Sequence, residues 1–220
     1  MAYQLPISLK NIFQKKLLRW YQKNGRSLPW RDTSDPYQIL VSEIMLQQTQ
    51  VDRVVPKYLE FLSKYPNFQA LASARVSAVK KTWYPLGYNA RPVRLRNIAR
   101  ETIMRYGGKL PQGDKELQSF KGIGRYTAGA IRSFAFKKDV PIVDTNIRRV
   151  LVRVFLGKPK LHPLDSQIWT LAEELLPKGK TYDFNQALMD FGACICSAKS
   201  PACLKCPMKN NCKANAKLKA

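Results

Sequence analysis

Apolar residues recur every three or four positions along most of the chain, which is the spacing of one face of an α-helix. The pattern is clear near the start, at Leu9, Ile12, Phe13, Leu17 and Trp20. Convincing runs of alternating apolar and polar residues are missing from the sequence, so the pattern predicts an all-α fold. After the first helix, further helices are expected at about 35–48, 51–64, 68–72, 76–84, 91–106, 114–121, 126–136, 146–156, 164–175 and 183–191.

Several local signals refine this picture. Asp35 followed by Pro36 predicts an N-cap and the first position of a helix. Gly107-Gly108 with Pro111 predicts a loop, as does the stretch 157–163. No run of about eighteen apolar residues occurs, so no membrane span is expected. The first residues lack the pattern of a signal peptide, which predicts an intracellular protein of the cytoplasm or nucleoid.

The net charge of the chain indicates what kind of partner it binds. Its formal net charge is +23, from 38 basic and 15 acidic side chains, and the basic residues extend from Lys10 to Lys219. Such a surface attracts polyanions, and nucleic acid is the favoured partner. An anionic membrane is the weaker alternative because no strongly amphipathic basic helix is present. A generally charged surface with no specific partner stays open at this point.

Residues 117–131, LQSFKGIGRYTAGAI, predict a tight turn between two helices. Gly122 and Gly124 allow the backbone to turn sharply and to approach a ligand closely. The second helix is expected to begin at about Arg125, with its positive dipole end and Lys121 beside the turn. This helix–hairpin–helix pattern is typical of elements that bind backbone phosphate without reading bases. An ordinary corner between two helices is the alternative.

Two carboxylates are candidates for chemistry. Asp144 comes just before the apolar stripe of the helix 146–156, where position alone favours a structural cap. A capping aspartate is also held rigidly, which suits a residue that faces a developing positive charge. Glu43 lies in the strongly apolar helix 35–48, either on a solvated stripe or buried and kept protonated. A protonated acid and an ionised partner are the carboxylate roles that glycosidic bond cleavage requires.

Four cysteines near the C-terminus, Cys196, Cys203, Cys206 and Cys212, have the spacing C-x6-C-x2-C-x5-C. Four thiolates in so short a stretch predict a closed metal or cluster site, and zinc and [4Fe–4S] both accept four cysteines. The six-residue first gap is unusual for zinc. Two disulfides fit less well, because Cys194 would be left without a partner and no secretory signal is present. We expect Cys194 to lie in the core.

The chain resembles the helix–hairpin–helix DNA glycosylase superfamily, which includes endonuclease III, and within it the catalytic domain of MutY-type adenine glycosylases. The resemblance extends over nearly the whole chain in the order typical of the family. Besides the cysteine motif it is carried by LPWR (28–31), DPYQILVSEIMLQQTQV (35–51), LGYNAR (86–91), GIGRYTAGAI (122–131) and VDTNIRRVL (143–151).

The resemblance implies two helical domains that flank a DNA-binding cleft. A six-helix barrel with the helix–hairpin–helix would span 30–135, and an iron–sulfur domain would be formed by 1–29 and 136–220. The four cysteines would bind a [4Fe–4S] cluster. The implied partner is double-stranded DNA that contains a mismatch, bound by a monomer, and no membrane is involved.

The resemblance also implies catalytic roles. Glu43 would protonate the departing base, and Asp144, supported by Asn146, would stabilise the oxocarbenium-like sugar. Tyr126 stands where other members have a lysine that attacks the sugar through a Schiff base. Tyrosine cannot form that Schiff base, which implies a monofunctional glycosylase that leaves the strand intact.

The remaining site residues would handle the DNA. Gln48 and Tyr88 match residues that insert into the base stack when the target nucleotide is flipped out, and flipping is needed because the bond is not reachable in stacked duplex. Trp30 and Arg31 would line the base pocket. The hairpin residues that would bind backbone phosphate are Lys121, Gly122, Gly124 and Arg125.

The excised base is less well determined. The segment LQQTQ favours adenine opposite guanine or 8-oxoguanine. The adenine enzymes usually carry a further C-terminal domain that recognises oxidised guanine, and with eight residues after Cys212 we do not expect that domain here. The chain also has DTN and YNA where the adenine enzymes usually have DGN and YYA. Short members that remove thymine or uracil from G:T and G:U pairs also carry tyrosine at the place of Tyr126. Adenine is the main prediction, thymine or uracil is the alternative, and a non-catalytic DNA-binding module is a third possibility.

Overall fold

The computed structural model describes residues 5–157 and 164–216, and within these ranges every regular element is helical. The all-α prediction is confirmed. Contacts within the chain divide it into two compact units. One unit is Ser27–Lys137, and the other combines Met1–Arg26 with Lys138–Ala220. The assignment of these units as a barrel over 30–135 and an iron–sulfur domain stays a prediction.

The helices follow one another in the order expected from the apolar pattern. Short 3-10 turns occur at Pro29–Arg31 and Cys203–Lys205. The α-helices of the described chain are α1 (Ile7–Asn24), α2 (Pro36–Leu46), α3 (Val51–Lys64), α4 (Phe68–Ser73), α5 (Val76–Trp83), α6 (Ala90–Tyr106), α7 (Asp114–Ser119), α8 (Arg125–Phe134), α9 (Thr145–Leu151), α10 (Asp165–Glu174), α11 (Thr181–Cys194) and α12 (Lys213–Ala216).

Helix α2 lies at the centre of the unit Ser27–Lys137, where it packs against α3, α6 and α8. Its N-terminus is capped as predicted, because the Asp35 carboxylate accepts hydrogen bonds from the backbone N–H groups of Tyr37 (2.7 Å) and Gln38 (3.2 Å). Every residue from 39 to 45 is buried. A polar side chain on this stretch is therefore enclosed by the protein on all sides.

Helix α2 is shorter than predicted, since it ends at Leu46 and not near residue 48. Gln48 has a φ of 56°, a left-handed conformation that cannot continue a right-handed helix. No glycine or proline stands between residues 46 and 51, so the sequence does not carry the usual signals that mark a helix end.

Helices α1 and α11 form the centre of the other unit. The ring of Phe13 packs edge-on against Phe155 and Phe184, at centroid distances of 4.9 and 6.2 Å. The fully buried Asp190 accepts hydrogen bonds from the backbone N–H (2.9 Å) and the guanidinium (2.7 Å) of Arg26. Removing one partner of such a buried pair is strongly destabilising, so this contact holds the end of α1 on α11.

The helix predicted over 146–156 consists of two parts. The α-helix α9 runs over Thr145–Leu151, and a π-helical turn continues it over Val152–Leu156. The backbone N–H of Gly157 closes this turn by donating to the carbonyl of Val152 at 2.8 Å. Such π-helical turns are often found at functional sites, and this one leads into the cysteine region.

The loop predicted at Gly107-Gly108 is confirmed, because both glycines have positive φ values, 59° and 83°, where α6 ends. The loop predicted over 157–163 lies outside the described residues except for Gly157. Among the helices of residues 5–157 and 164–216, none is long and apolar enough to cross a membrane.

Candidate functional site

Glu43 lies in the buried middle of α2, with 3% of its surface exposed. The exposed fraction of its neighbours Leu40 and Ile44 is 0% and 1%. Of the two interpretations of this glutamate, the buried one is confirmed and the solvated stripe is wrong. A buried carboxyl group on a rigid helix is a candidate general acid, which is the role predicted for Glu43.

The hairpin between α7 and α8 has the geometry expected of its glycines. Gly122 has a φ of 103°, and a Cβ atom there would lie 3.1 Å from Cδ of Arg94, so both backbone conformation and space favour glycine. Gly124 has extended backbone and directly precedes the first turn of α8. Lys121, Gly124 and Arg125 are exposed. An exposed helix N-terminus flanked by two cations is an arrangement that binds phosphate.

Three further predicted residues lie in the same unit. Tyr126 is the second residue of α8 and is half-buried. Trp30 is buried, and its ring packs edge-on against Tyr58 at a centroid distance of 5.4 Å. Arg31 is half-buried in the same 3-10 turn as Trp30. Trp30 thus contributes to the core, and a role of Trp30 and Arg31 in a base pocket stays a prediction.

Gln48 and Tyr88 are brought together by the fold, although they are forty residues apart in the sequence. Both have positive backbone φ values, 56° and 50°, which residues other than glycine rarely adopt. Tyr88 is 60% exposed. The two residues share an open cavity of about 260 Å³, which is lined by Gln47, Gln48, Tyr88, Asn89, Ala90, Arg91 and Arg94.

Asp144 caps α9 in the unit that contains Met1–Arg26. One carboxylate oxygen accepts the backbone N–H of Ile147 (2.7 Å), and the other accepts the side-chain amide of Asn146 (2.9 Å). The predicted N-cap position is confirmed. Two donors fix the direction of this half-buried carboxylate, which suits a charge that has to face one side of a substrate.

The hydrogen bonds continue from Asn146 to the cysteine region. The Asn146 side-chain oxygen accepts from Nη2 of Arg149 (2.7 Å), and Nε of Arg149 donates to the carbonyl of Cys196 (2.7 Å). A Cβ atom on Gly192 would lie 2.8 Å from Cβ of Asn146, so glycine there permits the close contact of α9 and α11. Asp144 is therefore joined to the backbone carbonyl of Cys196 through the side chains of Asn146 and Arg149.

The four predicted cysteine ligands line one cavity of about 220 Å³. Two N–H groups point at their sulfur atoms: Arg153 Nη1 lies 3.5 Å from Sγ of Cys196, and the backbone N–H of Met208 lies 3.3 Å from Sγ of Cys206. Burial raises the pKa of the Cys206 thiol to about 11. A positively charged group in the cavity would reverse this shift, because coordination deprotonates a thiol outright.

In residues 5–157 and 164–216, no group of three or more His, Cys, Asp and Glu side chains is arranged to hold a single metal ion. The [4Fe–4S] cluster stays a prediction at this point.

Cys194 is exposed, so the expectation that it lies in the core is wrong. It is the last residue of α11, where the helix leaves the packed interior, and the apolar pattern of a helix does not show where it emerges into solvent. Lys199, Lys205 and Lys209 in the cysteine region are also exposed.

Sequence reasoning missed two arginines at these sites. Arg149 bridges Asn146 and Cys196, and Arg91 donates to carbonyls before Gln48, to the Thr49 hydroxyl and to carbonyls before Tyr88. The two arginines lie in the segments VDTNIRRVL and LGYNAR. Most of their partners are backbone carbonyls, which every residue carries, so the motif letters do not reveal these contacts.

A family model described as HhH-GPD superfamily base excision DNA repair protein matches residues 41–178. The match covers more than half of the chain, including Glu43, the hairpin and Asp144. The chain belongs to this superfamily. The superfamily membership that the sequence motifs predicted is thereby confirmed.

The chain is similar to adenine DNA glycosylases and to thymine/uracil-DNA glycosylases. The adenine DNA glycosylase of Homo sapiens is 40% identical over 92% of this chain and 39% of its own length. The thymine/uracil-DNA glycosylase of Methanothermobacter thermautotrophicus is 38% identical over 92% of this chain and 93% of its own length. A solved structure of a thermostable thymine-DNA glycosylase has a TM-score of 0.90 and 37% identity, and the match covers 96% of this chain and 98% of that one. The chain spans about two fifths of the length of the human relative.

Proposed function

We propose that this chain is a monofunctional DNA glycosylase, which flips a mispaired base out of duplex DNA and hydrolyses its N-glycosidic bond. Adenine opposite guanine or 8-oxoguanine is the proposed substrate. The observation that carries the proposal is the contrast between two carboxyl groups. Glu43 is buried in the middle of α2, and the half-buried Asp144 is held by two N–H donors. Environments of this kind separate an acid from a stabilising anion.

The mechanism assigns one step to each group. Glu43 protonates the departing base, so that the base leaves as a neutral species. The sugar then develops oxocarbenium character, and the Asp144 carboxylate stabilises the positive charge and helps to place the attacking water. Asn146 keeps the Asp144 carboxylate in position through its 2.9 Å hydrogen bond.

Tyr126 supports the monofunctional part of the proposal. Strand nicking through a Schiff base requires an amine that attacks the sugar, and the phenol of Tyr126 offers none. The product is therefore an abasic site in an intact strand. The hairpin cations Lys121 and Arg125, both exposed, are proposed to bind the backbone phosphate of double-stranded DNA, on which the chain acts as a monomer.

The proposal is tested with duplexes that carry one G:A, 8-oxoguanine:A, G:T or G:U pair, under single-turnover conditions. Strand breaks after alkali treatment are expected only in the strand that carries the mispaired adenine. Breaks without alkali would show that the monofunctional assignment is wrong. Tight binding of mismatched duplexes with no breaks at all would support the non-catalytic DNA-binding module.

A second candidate substrate is thymine or uracil opposite guanine. It is favoured by the similarity to a thymine/uracil-DNA glycosylase over nearly the whole of both chains. Breaks confined to the G:T and G:U duplexes would establish this candidate and contradict the adenine assignment. The two candidates share the roles of Glu43 and Asp144, so the panel of duplexes distinguishes them directly.

We also propose that Cys196, Cys203, Cys206 and Cys212 hold a [4Fe–4S] cluster. The residues fit the group, because four thiols line one cavity of about 220 Å³ and [4Fe–4S] clusters take four cysteine ligands. N–H groups directed at two of the sulfurs resemble the hydrogen bonds that accompany cluster ligands. When bound, the cluster would hold the loop 196–212 in one shape, with its exposed lysines available to phosphate.

Replacing Cys203 by serine should therefore lower the content of iron and sulfide and weaken DNA affinity. Cys194→Ser is the matched control, since Cys194 is exposed and does not line the cavity. The measurement is iron and sulfide analysis of the purified chain, with absorbance at the blue end of the visible spectrum. Stoichiometric zinc in the unsubstituted protein, or equal iron loss in both variants, would contradict the assignment.

A further inference from the structure

Arg91 is buried, with 4% of its surface exposed, and the proposed mechanism gives it no task. It lies in the first turn of α6. In the described part of the chain, no carboxylate lies within ion-pair distance of its guanidinium. A buried charge without a carboxylate partner is costly unless hydrogen bonds satisfy it, so the fold has to stabilise this side chain through other groups.

The two terminal nitrogens of Arg91 reach two separate loops. Nη1 donates to backbone carbonyls at the end of α2, and Nη2 donates to the loop before Tyr88 and to one threonine hydroxyl. The acceptors are the carbonyls of Ile44 (3.3 Å), Met45 (2.9 Å), Gln47, Leu86 (3.1 Å) and Gly87 (3.3 Å) and Oγ1 of Thr49 (3.0 Å). One planar fork thus joins segments forty residues apart in the sequence.

These contacts surround the two residues with left-handed backbone. Gln48, with a φ of 56°, lies between the acceptors Gln47 and Thr49. Tyr88, with a φ of 50°, directly follows the acceptor Gly87. Such a conformation persists in residues other than glycine only where the surroundings determine it, and the Arg91 fork supplies that constraint to both loops.

Arg91 also contacts two aromatic side chains, those of Tyr88 and of Trp83 at the end of α5. Its guanidinium carbon lies 5.0 Å from the centroid of the Tyr88 ring and 5.4 Å from that of Trp83, within the range of cation–π attraction. The indole N–H of Trp83 donates to the carbonyl of Gly87 at 3.1 Å. The exposed ring of Tyr88 is therefore in contact with the buried guanidinium of Arg91.

We propose that Arg91 is a positioning residue, which holds Gln48 and Tyr88 as a preformed wedge for opening the DNA base stack. The inference rests on the proposed function, in which these two side chains enter the stack. A wedge that is rigid before binding does not have to be ordered when DNA binds. Lysine cannot replace Arg91 in this role, because a single ammonium group does not supply a planar fork with several fixed donors.

The test compares Arg91→Lys with Arg96→Lys. Arg96 lies on the same helix, and its Nε also donates to a loop carbonyl, that of Ala74 at 2.6 Å, but it contacts neither wedge residue. With a mispaired duplex, Arg91→Lys should slow single-turnover excision roughly 10- to 100-fold, the size of loss that misplaced positioning groups cause. With the target base opposite an abasic spacer, where no pair has to be opened, the loss should be several-fold smaller.

A second measurement does not depend on excision. A 2-aminopurine placed beside the target base reports unstacking by its fluorescence, and Arg91→Lys should reduce the fluorescence rise on binding while Arg96→Lys retains it. If Arg91→Lys does not fold, Thr49→Val removes one acceptor of the fork and should change both measurements in the same direction by a smaller amount.

Several outcomes would overturn the inference. These are an equal loss of rate on paired and unpaired substrates, an unchanged fluorescence rise in Arg91→Lys, or an equal effect of Arg96→Lys. Excision by the unsubstituted protein on none of the mispaired duplexes would contradict the proposed function instead. The fluorescence measurement would still decide whether Arg91 positions the wedge, so the two failures are distinguishable.

Discussion

Replacing Asp144 by asparagine should lower the single-turnover excision rate by roughly 10³-fold, at the upper end of what one lost stabilising group costs, while affinity for mispaired duplex stays within a few-fold. Asparagine caps a helix about as well as aspartate, so the acceptor for Ile147 and the start of α9 are retained. What is lost is the negative charge that faces the developing positive charge on the sugar. Excision rates and binding isotherms on the same duplex measure the two effects separately.

Asp35→Asn is the matched control for Asp144→Asn. Asp35 caps α2 in the same way, accepting two backbone N–H groups, but it has no proposed role in the chemistry. This control should leave excision nearly unchanged. If Asp144→Asn loses DNA binding or thermal stability as well as excision, Asp144 is a structural cap and not a catalyst.

The second large effect is expected from Glu43→Gln, which should slow adenine release by roughly 10²- to 10⁴-fold, the usual contribution of a general acid. Glutamine has nearly the same shape, so the packing in the buried middle of α2 is largely kept, and it cannot deliver a proton. Affinity for the mispaired duplex should change little. A substrate analogue whose base leaves readily without protonation should recover much of the lost rate.

Glu60→Gln serves as the control for Glu43→Gln. Glu60 is a partly exposed residue of α3 that forms ion pairs with Lys57 (2.6 Å) and Lys64 (2.8 Å). Surface pairs of this kind contribute little to stability, so this variant should excise like the unsubstituted protein. Unchanged excision in Glu43→Gln would remove Glu43 from the mechanism, and an equal loss with the readily leaving base would show that it acts in binding.

Much of the helical framework was predictable, because it depends on local chemistry. The Asp35–Pro36 pair is an N-cap signal that acts within one turn, and the structure places α2 directly after it. The glycines at 107 and 108 end α6 for a similarly local reason, since both have positive φ values. Element boundaries were less accurate where the decisive conformation is not local, as at Gln48, whose left-handed backbone shortens α2.

The surroundings of the site residues were not predictable in the same way. The pattern around Glu43 allowed either a solvated or a buried carboxyl group, and only the packing of α3, α6 and α8 against α2 decides for burial. Cys194 was expected in the core and is exposed, since periodicity does not show where a helix emerges from its neighbours. Arg91 gave no signal, because all but one of its acceptors are backbone carbonyls, which any residue carries.

The sequence by itself determined the all-α fold, the hairpin with its flanking cations, the four-cysteine motif and the superfamily. These features depend on residue types at short spacings, and short spacings constrain helices, turns and ligand motifs directly. Only the tertiary structure decided that Glu43 is buried, that Asp144 is joined through Asn146 and Arg149 to the carbonyl of Cys196, and that one buried guanidinium braces Gln48 and Tyr88. Those contacts join groups far apart along the chain, so they exist only once the helices have packed.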